Sequence, residues 1–361
     1  MKKILLKAYL AYNFGDDLFL KILFDRYPNV NWVLAEGGER YINLFKKYPN
    51  VKVKNGLFFK ILRRLGRVEK NDFISKYDAG LYIGGSIFME LPVWREQLEE
   101  RQKIITSFYD KNKPYFILGS NFGPYKDPMF LTFYEELLQK CKDVCFRDKF
   151  SYDLFSKYSN SRLAPDIVFQ LKPQNIKKEK NSLGISLINL KERGDLPNLE
   201  KYKSIYYTKL KEIIEKSILK DKSIYLFSFC EDQGDMIAIR ELMDYLPENI
   251  KQKVNIISYD GDIDKFLIDF ERMENIIGTR FHACILSQVF NQGLYPIIYS
   301  NKTYNVLKDI KLDKECTFIN ELYNLDVDHV LNVISENKIV DTQFLKDSEK
   351  HFKELDKYVK K

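Results

Sequence analysis

Short apolar runs alternate along this chain with longer stretches in which apolar residues recur every three or four positions. Residues 3–10 read as a first strand, and Ala11-Tyr12-Asn13-Phe14-Gly15-Asp16-Asp17 as a turn into a helix from about Leu18 to Arg26. Further strands are predicted at 30–35, 79–83, 115–118 and 144–146, with helices at 41–48, 94–111 and 130–141 among them. A polar, lysine-rich stretch from Lys172 to Asn181 interrupts the pattern, which then resumes. The second series has strands at 183–187, 224–229, 254–257 and 295–298. Its helices fall at 202–219, 235–245, 263–272 and 283–291, and an amphipathic tail runs from about Asp341 to Lys360. Strands alternating with helices of this length predict parallel sheets, with ligand crevices at the carboxyl ends of the strands.

The 361 residues suit about two domains at roughly 150 residues each. The pattern places an N-terminal α/β domain at 1–172, a linker at 173–181, a C-terminal α/β domain at 182–336 and a helical tail at 337–361. With 45% hydrophobic and 14% aromatic residues, both halves have material for a packed core. The net charge of +7 suits anionic substrates or anionic lipid head groups and does not indicate nucleic acid. Cys141, Cys145, Cys230, Cys284 and Cys316 are dispersed, and only the first two are close, so neither a disulfide framework nor a metal site is expected. Lys7 interrupts the first apolar run too soon for a signal peptide, and no run has the length of a membrane span, so a cytoplasmic location is expected.

One amphipathic segment changes that picture. Apolar positions 57, 58, 61, 62, 65 and 68 share a helical face, while Lys60, Arg63, Arg64 and Arg67 cover the rest. Such a helix can lie on an anionic membrane surface at the inner leaflet. An ordinary surface helix packed on its own domain gives the same pattern.

The candidate chemistry gathers at strand ends. Gly278-Thr279-Arg280-Phe281-His282-Ala283 follows the apolar run Asn275-Ile276-Ile277 and opens a helix. It sets a fixed cation and a proton donor or acceptor two residues apart beside a helix N-terminus. A core-packing turn with an exposed arginine would read the same way. Glycine-rich turns at Gly84-Gly85-Ser86 and Gly119-Ser120-Asn121-Phe122-Gly123 can present amides to anions or sugar hydroxyls, and neither matches a P-loop or a dinucleotide fingerprint. Arg147 ends a strand and is a candidate anion ligand, with a structural Arg147–Asp148 arrangement as its alternative. Lys302 follows another strand end. Asp16 or Asp17 is expected to cap the first helix, leaving the other and Asn13 for the crevice.

Taken in order, Asn13-x-Gly15-Asp16, Gly84-Gly85-Ser86, Gly119-Ser120-x-x-Gly123-Pro124, Arg147-Asp148, Pro165-Asp166 and Arg280-x-His282-Ala283 resemble the polysaccharide pyruvyl transferase family, over residues 3 to 310. The resemblance implies two Rossmann-like domains in a GT-B-like arrangement with a C-terminal helix. It also implies transfer of the carboxyvinyl group of phosphoenolpyruvate onto sugar hydroxyls as a pyruvate ketal, in capsular or exopolysaccharide biosynthesis in bacteria. Carried over by motif position, Arg280 and His282 become catalytic, and with Arg147 and Lys302 they hold phosphoenolpyruvate. Asn13, Gly15, Asp16, Gly85, Ser86, Ser120 and Asn121 then face the acceptor sugar, which is free or lipid-linked. Arginine suits the carboxylate and phosphate, and two bound anions favour a protonated His282 as general acid. No cofactor or metal enters the scheme beyond the donor itself. A GT-B glycosyltransferase using a nucleotide sugar is the enzymatic alternative, and a non-catalytic glycan-binding or assembly protein is the other. The loop 229–234 shows no feature of the family.

Overall fold

The computed structural model describes residues 1–54, 72–191, 198–339 and 343–360, so the basic amphipathic segment at 57–68 lies outside the described residues. The chain is α/β and divides into two compact units. The first comprises residues 1–10, 18–167 and 346–361, and the second residues 11–17 and 168–345.

The first unit carries a seven-stranded parallel sheet in the order β3-β2-β1-β4-β5-β6-β7. Its strands are β1 (Lys3–Ala8), β2 (Asn31–Leu34), β3 (Val51–Val53), β4 (Ala79–Ile83), β5 (Tyr115–Ser120), β6 (Asp143–Phe146) and β7 (Ser161–Leu163). β4, β5 and β6 are buried along their whole length, because helices cover both faces of a parallel sheet and such strands carry continuous apolar sequence. Phe88, Phe122, Tyr134 and Phe155 make edge-on ring pairs in the core of this unit, which Phe130 joins. The second unit carries a six-stranded parallel sheet, β10-β9-β8-β11-β12-β13. These strands are β8 (Ser182–Ser186), β9 (Ser223–Ser228), β10 (Val254–Ser258), β11 (Asn275–Gly278), β12 (Gly293–Ile298) and β13 (Thr317–Phe318). In both sheets the order reverses beside the first strand of the unit, between β1 and β4 and between β8 and β11. In a doubly wound sheet that is where a ligand crevice opens.

The predicted strands and helices are present, with shifted ends. β3, β7 and β13 escape the hydrophobic pattern because they are edge strands of two or three residues. The first helix begins at Phe14 rather than Leu18, and its cap is Asn13 rather than Asp16 or Asp17. Asn13 Oδ1 accepts from the Gly15 amide at 3.0 Å and its carbonyl accepts from Asp17. The stretch expected as a linker is tied into the second unit, where the Glu271 carboxylate accepts from the amides of Gln174 and Ile176.

The tail is three short segments (Gln343–Asp347, Ser348–Phe352 and Lys353–Lys360), and from Lys346 it belongs to the first unit. Phe352 and Leu355 are fully buried, Asp356 pairs with Arg26 at 2.7 Å, and Tyr27 donates to Asp356 at 2.6 Å. His351 is buried there as well. Burial, followed by the nearby Arg162 cation, lowers its pKa to about 3. The unfolded chain takes up a proton near pH 6.5 and the folded chain does not, so this histidine's contribution to stability is lost as pH falls from about 6.5 towards 3. Between pH 7 and pH 5 the loss is about 2 kcal/mol. Urea denaturation of wild type and His351→Gln at the two pH values is expected to show a smaller acid loss in the variant by that amount. Equal losses would assign the acid sensitivity to other groups.

Candidate active site

The carboxyl edge of the second sheet positions the Arg-x-His motif. β8 and β11 are in register there, with Gly278 opposite Ser186. The Ser186 hydroxyl accepts from the amides of Thr279 at 3.1 Å and Arg280 at 3.2 Å, and the Thr279 hydroxyl bonds that of Tyr206 at 2.9 Å. The chain is thus held where it turns into the helix Phe281–Val289, whose N-cap is Arg280.

Arg280 is 5% exposed, and its guanidinium is clamped rather than solvated. Nε donates to Asp235 at 2.8 and 3.1 Å, Nη2 donates to Asp235 Oδ1, and Nη1 donates to Gln233 Oε1 at 2.6 Å. Asp235 Oδ2 also accepts from the amides of Phe229 and Cys230, both at 3.0 Å. Burial works against the Arg280 charge, but Asp235 outweighs it and the arginine pKa is raised, so the cation persists. Burial pushes the Cys230 thiol up to about 11, so no thiolate nucleophile stands beside the pair. The loop 229–234, silent in the sequence, therefore supplies Gln233, and Asp235 directly after it is the other partner of Arg280. Its signal was a glycine before an acidic helix start: Gly234 has φ +81°, the left-handed region, and Asp235 begins the next helix.

His282 is half-buried, with its ring edge-on to Phe281 at 5.1 Å. Gly15 lies against the imidazole, where a Cβ would fall 1.7 Å from Nδ1. The segment carrying Gly15 belongs to the second unit. The Phe14 amide donates to the Phe229 carbonyl at 3.0 Å, the Phe14 ring packs with Phe229, Tyr259 and Phe266, and Tyr259 donates to Asp17 at 2.9 Å. Asn13, Gly15 and Asp16, expected on the acceptor face of the first domain, are thus grouped with Arg280 and His282. Aromatic anchoring, invisible to a strand-and-helix pattern, draws them there. Lys302 is in the first turn of the helix Asn301–Asp309 after β12, its ammonium 5.9 Å from the ring of Tyr299. Tyr299 is close enough to act on the Arg280 charge.

Arg147 belongs to the first unit and is engaged. It donates to Asp166 at 3.0 Å and to Asn121 Oδ1 at 2.6 Å, while its amide donates to the Ser120 carbonyl. Ser86 donates to Asn121 Oδ1 at 3.2 Å, and the Asn121 amide donates to the Gly85 carbonyl. Gly85, Ser86, Ser120, Asn121 and Arg147 thus form one cluster at the carboxyl ends of β4, β5 and β6. Asp148 has a structural role of its own. It caps the helix Lys149–Phe155 through the amide and hydroxyl of Ser151. Among the described residues no group of three or more His, Cys, Asp or Glu side chains is placed to hold a metal, and no helix is long and apolar enough to cross a membrane.

Two doubly wound units, each with polar side chains beyond the ends of its central strands, define the class of α/β protein to which the solved neighbours belong. HepE of Anabaena, in a crystal structure with UDP-glucose, superposes with a TM-score of 0.61 over 99% of this chain and 100% of that one, at 11% identity. UDP-GlcNAc 2-epimerase from Methanocaldococcus jannaschii gives 0.60 over 98% and 99%, at 10% identity. At those identities the likeness is one of fold. The amylovoran biosynthesis protein AmsJ of Erwinia amylovora is 21% identical over 345 residues, 89% of this chain and 79% of that protein. The polysaccharide pyruvyl transferase family matches residues 13–301, which include every candidate residue except Lys302, and the chain belongs to that family.

Proposed function

We propose that the protein transfers the carboxyvinyl group of phosphoenolpyruvate to two hydroxyls of a sugar, forming a pyruvate ketal during synthesis of a cell-surface polysaccharide. The observation that carries this reading is the grouping of a clamped guanidinium, an imidazole and a close backbone approach at Arg280, His282 and Gly15. Family membership and the amylovoran biosynthesis relative support it.

The donor carries a carboxylate and a phosphate. Arg280 takes one anionic group through its remaining N–H donors, and the Lys302 ammonium takes the other. His282, as imidazolium, gives its proton to the methylene carbon, and the adjoining carbon becomes oxocarbenium-like. A sugar hydroxyl attacks that carbon and its proton returns to His282. Phosphate then leaves, the second hydroxyl closes the ketal, and its proton departs with the phosphate. The products are the ketal carboxylate and inorganic phosphate, and the scheme draws on no cofactor.

The test is thermal unfolding with phosphoenolpyruvate and, separately, with UDP-sugars. Phosphoenolpyruvate at 100 times its dissociation constant is expected to stabilise wild type by about 2.7 kcal/mol, and Arg280→Ala much less. Stabilisation by a UDP-sugar alone would replace this reading with a nucleotide-sugar glycosyltransferase.

A further inference from the structure

The Arg280–Asp235 pair is built more elaborately than holding a strand end requires. Asp235 is fully buried at the first residue of the helix Asp235–Tyr245, where the free amides favour a carboxylate. Its two oxygens receive the Phe229 and Cys230 amides together with Nε and Nη2 of Arg280. A buried ion pair is a weak source of net stability, because desolvation offsets the attraction. What the pair does supply is orientation. Asp235 occupies the Nε/Nη2 edge of the guanidinium and Gln233 one N–H of Nη1. One N–H on each terminal nitrogen is left for a ligand, and the plane of the fork is fixed before the ligand arrives.

We infer that Asp235, with Gln233, is a positioning residue for the donor: it sets the face and angle at which Arg280 meets an anionic group of phosphoenolpyruvate. The inference rests on the donor reading above. An asparagine at 235 cannot accept from the two amides and from both guanidinium nitrogens, since one of its terminal atoms is itself a donor. The backbone amides are immobile, so the arginine is the partner that moves.

Calorimetric titration of phosphoenolpyruvate into wild type, Asp235→Asn and Gln233→Leu tests this. The dissociation constant is expected to rise roughly tenfold or more in Asp235→Asn and several-fold in Gln233→Leu. Millimolar guanidinium is expected to restore binding to Arg280→Ala but not to Arg280→Ala/Asp235→Asn, a difference that a purely structural role for Asp235 would not produce. No binding by wild type would remove the donor reading and this inference with it. Wild-type binding that Asp235→Asn retains, or guanidinium rescue of the double variant, would overturn the positioning role alone. Should Asp235→Asn fail to fold, the half-buried Gln233 decides the matter, and unchanged affinity in Gln233→Leu would overturn the proposal.

Discussion

Changing His282 to alanine is expected to lower turnover by roughly 10² or more while leaving phosphoenolpyruvate affinity within a few-fold. The asymmetry follows from the charges around the site. Anion binding is assigned to Arg280, whose guanidinium is held by Asp235 and Gln233. Loss of the ring should leave that clamp in place. The chemical step of the proposed reaction, however, requires a proton at carbon, and Cys230 cannot supply an equivalent, because burial keeps its thiol protonated and weakly acidic. Steady-state kinetics with phosphate release as the readout, beside calorimetric donor binding, separates the two effects. Full turnover in His282→Ala would end the general-acid assignment, and loss of donor binding without loss of fold would turn His282 into a ligand instead.

Much of this architecture was legible in the chain. The alternation of apolar runs and amphipathic stretches gave both parallel sheets, because strands covered on both faces must be apolar throughout, as Leu81 to Ile83 and Phe116 to Leu118 are. The short edges β3, β7 and β13 lay below the resolution of such a pattern. At the site, Arg280 and His282 stood out as unusual residue types at a strand-to-helix turn. Their supports did not. Asp235 reads as one more acidic residue at a helix start, Gln233 as a loop polar residue, and Ser186 as the end of a strand. Each acquires its role from a partner dozens of residues away in sequence, so no local window contains the information. Gly15 was legible as a turn glycine, but its neighbour could not be guessed. What places it against His282 is the docking of Phe14 among Phe229, Tyr259 and Phe266, an aromatic contact between distant segments. Arg147 shows the converse. Its position at a strand end suggested an anion ligand, and only the structure reveals that Asp166 and Asn121 already engage it.

That contact makes Gly15→Ala the sharpest test of the site's geometry. A Cβ at position 15 would fall 1.7 Å from His282 Nδ1 and 2.3 Å from Cε1, well inside any tolerable contact. Gly15 is at the start of a helix, and its φ is not in the left-handed region. Alanine there has no backbone penalty. The conflict falls on the imidazole, which must retreat by about 1.7 Å (3.4 − 1.7) to reach ordinary contact, so the expected outcome is a folded protein with turnover reduced by roughly 10² or more, the cost of displacing the proposed acid. Donor affinity should hold, since Arg280 is clamped from the other side by the 229–235 segment. The decisive measurement is the double variant. If the methyl group acts only by displacing the ring, Gly15→Ala adds nothing further to His282→Ala, and the two losses are strongly non-additive. Additive losses would mean that position 15 touches substrate directly, and the segment 11–17 would then regain the acceptor role that its motif first suggested.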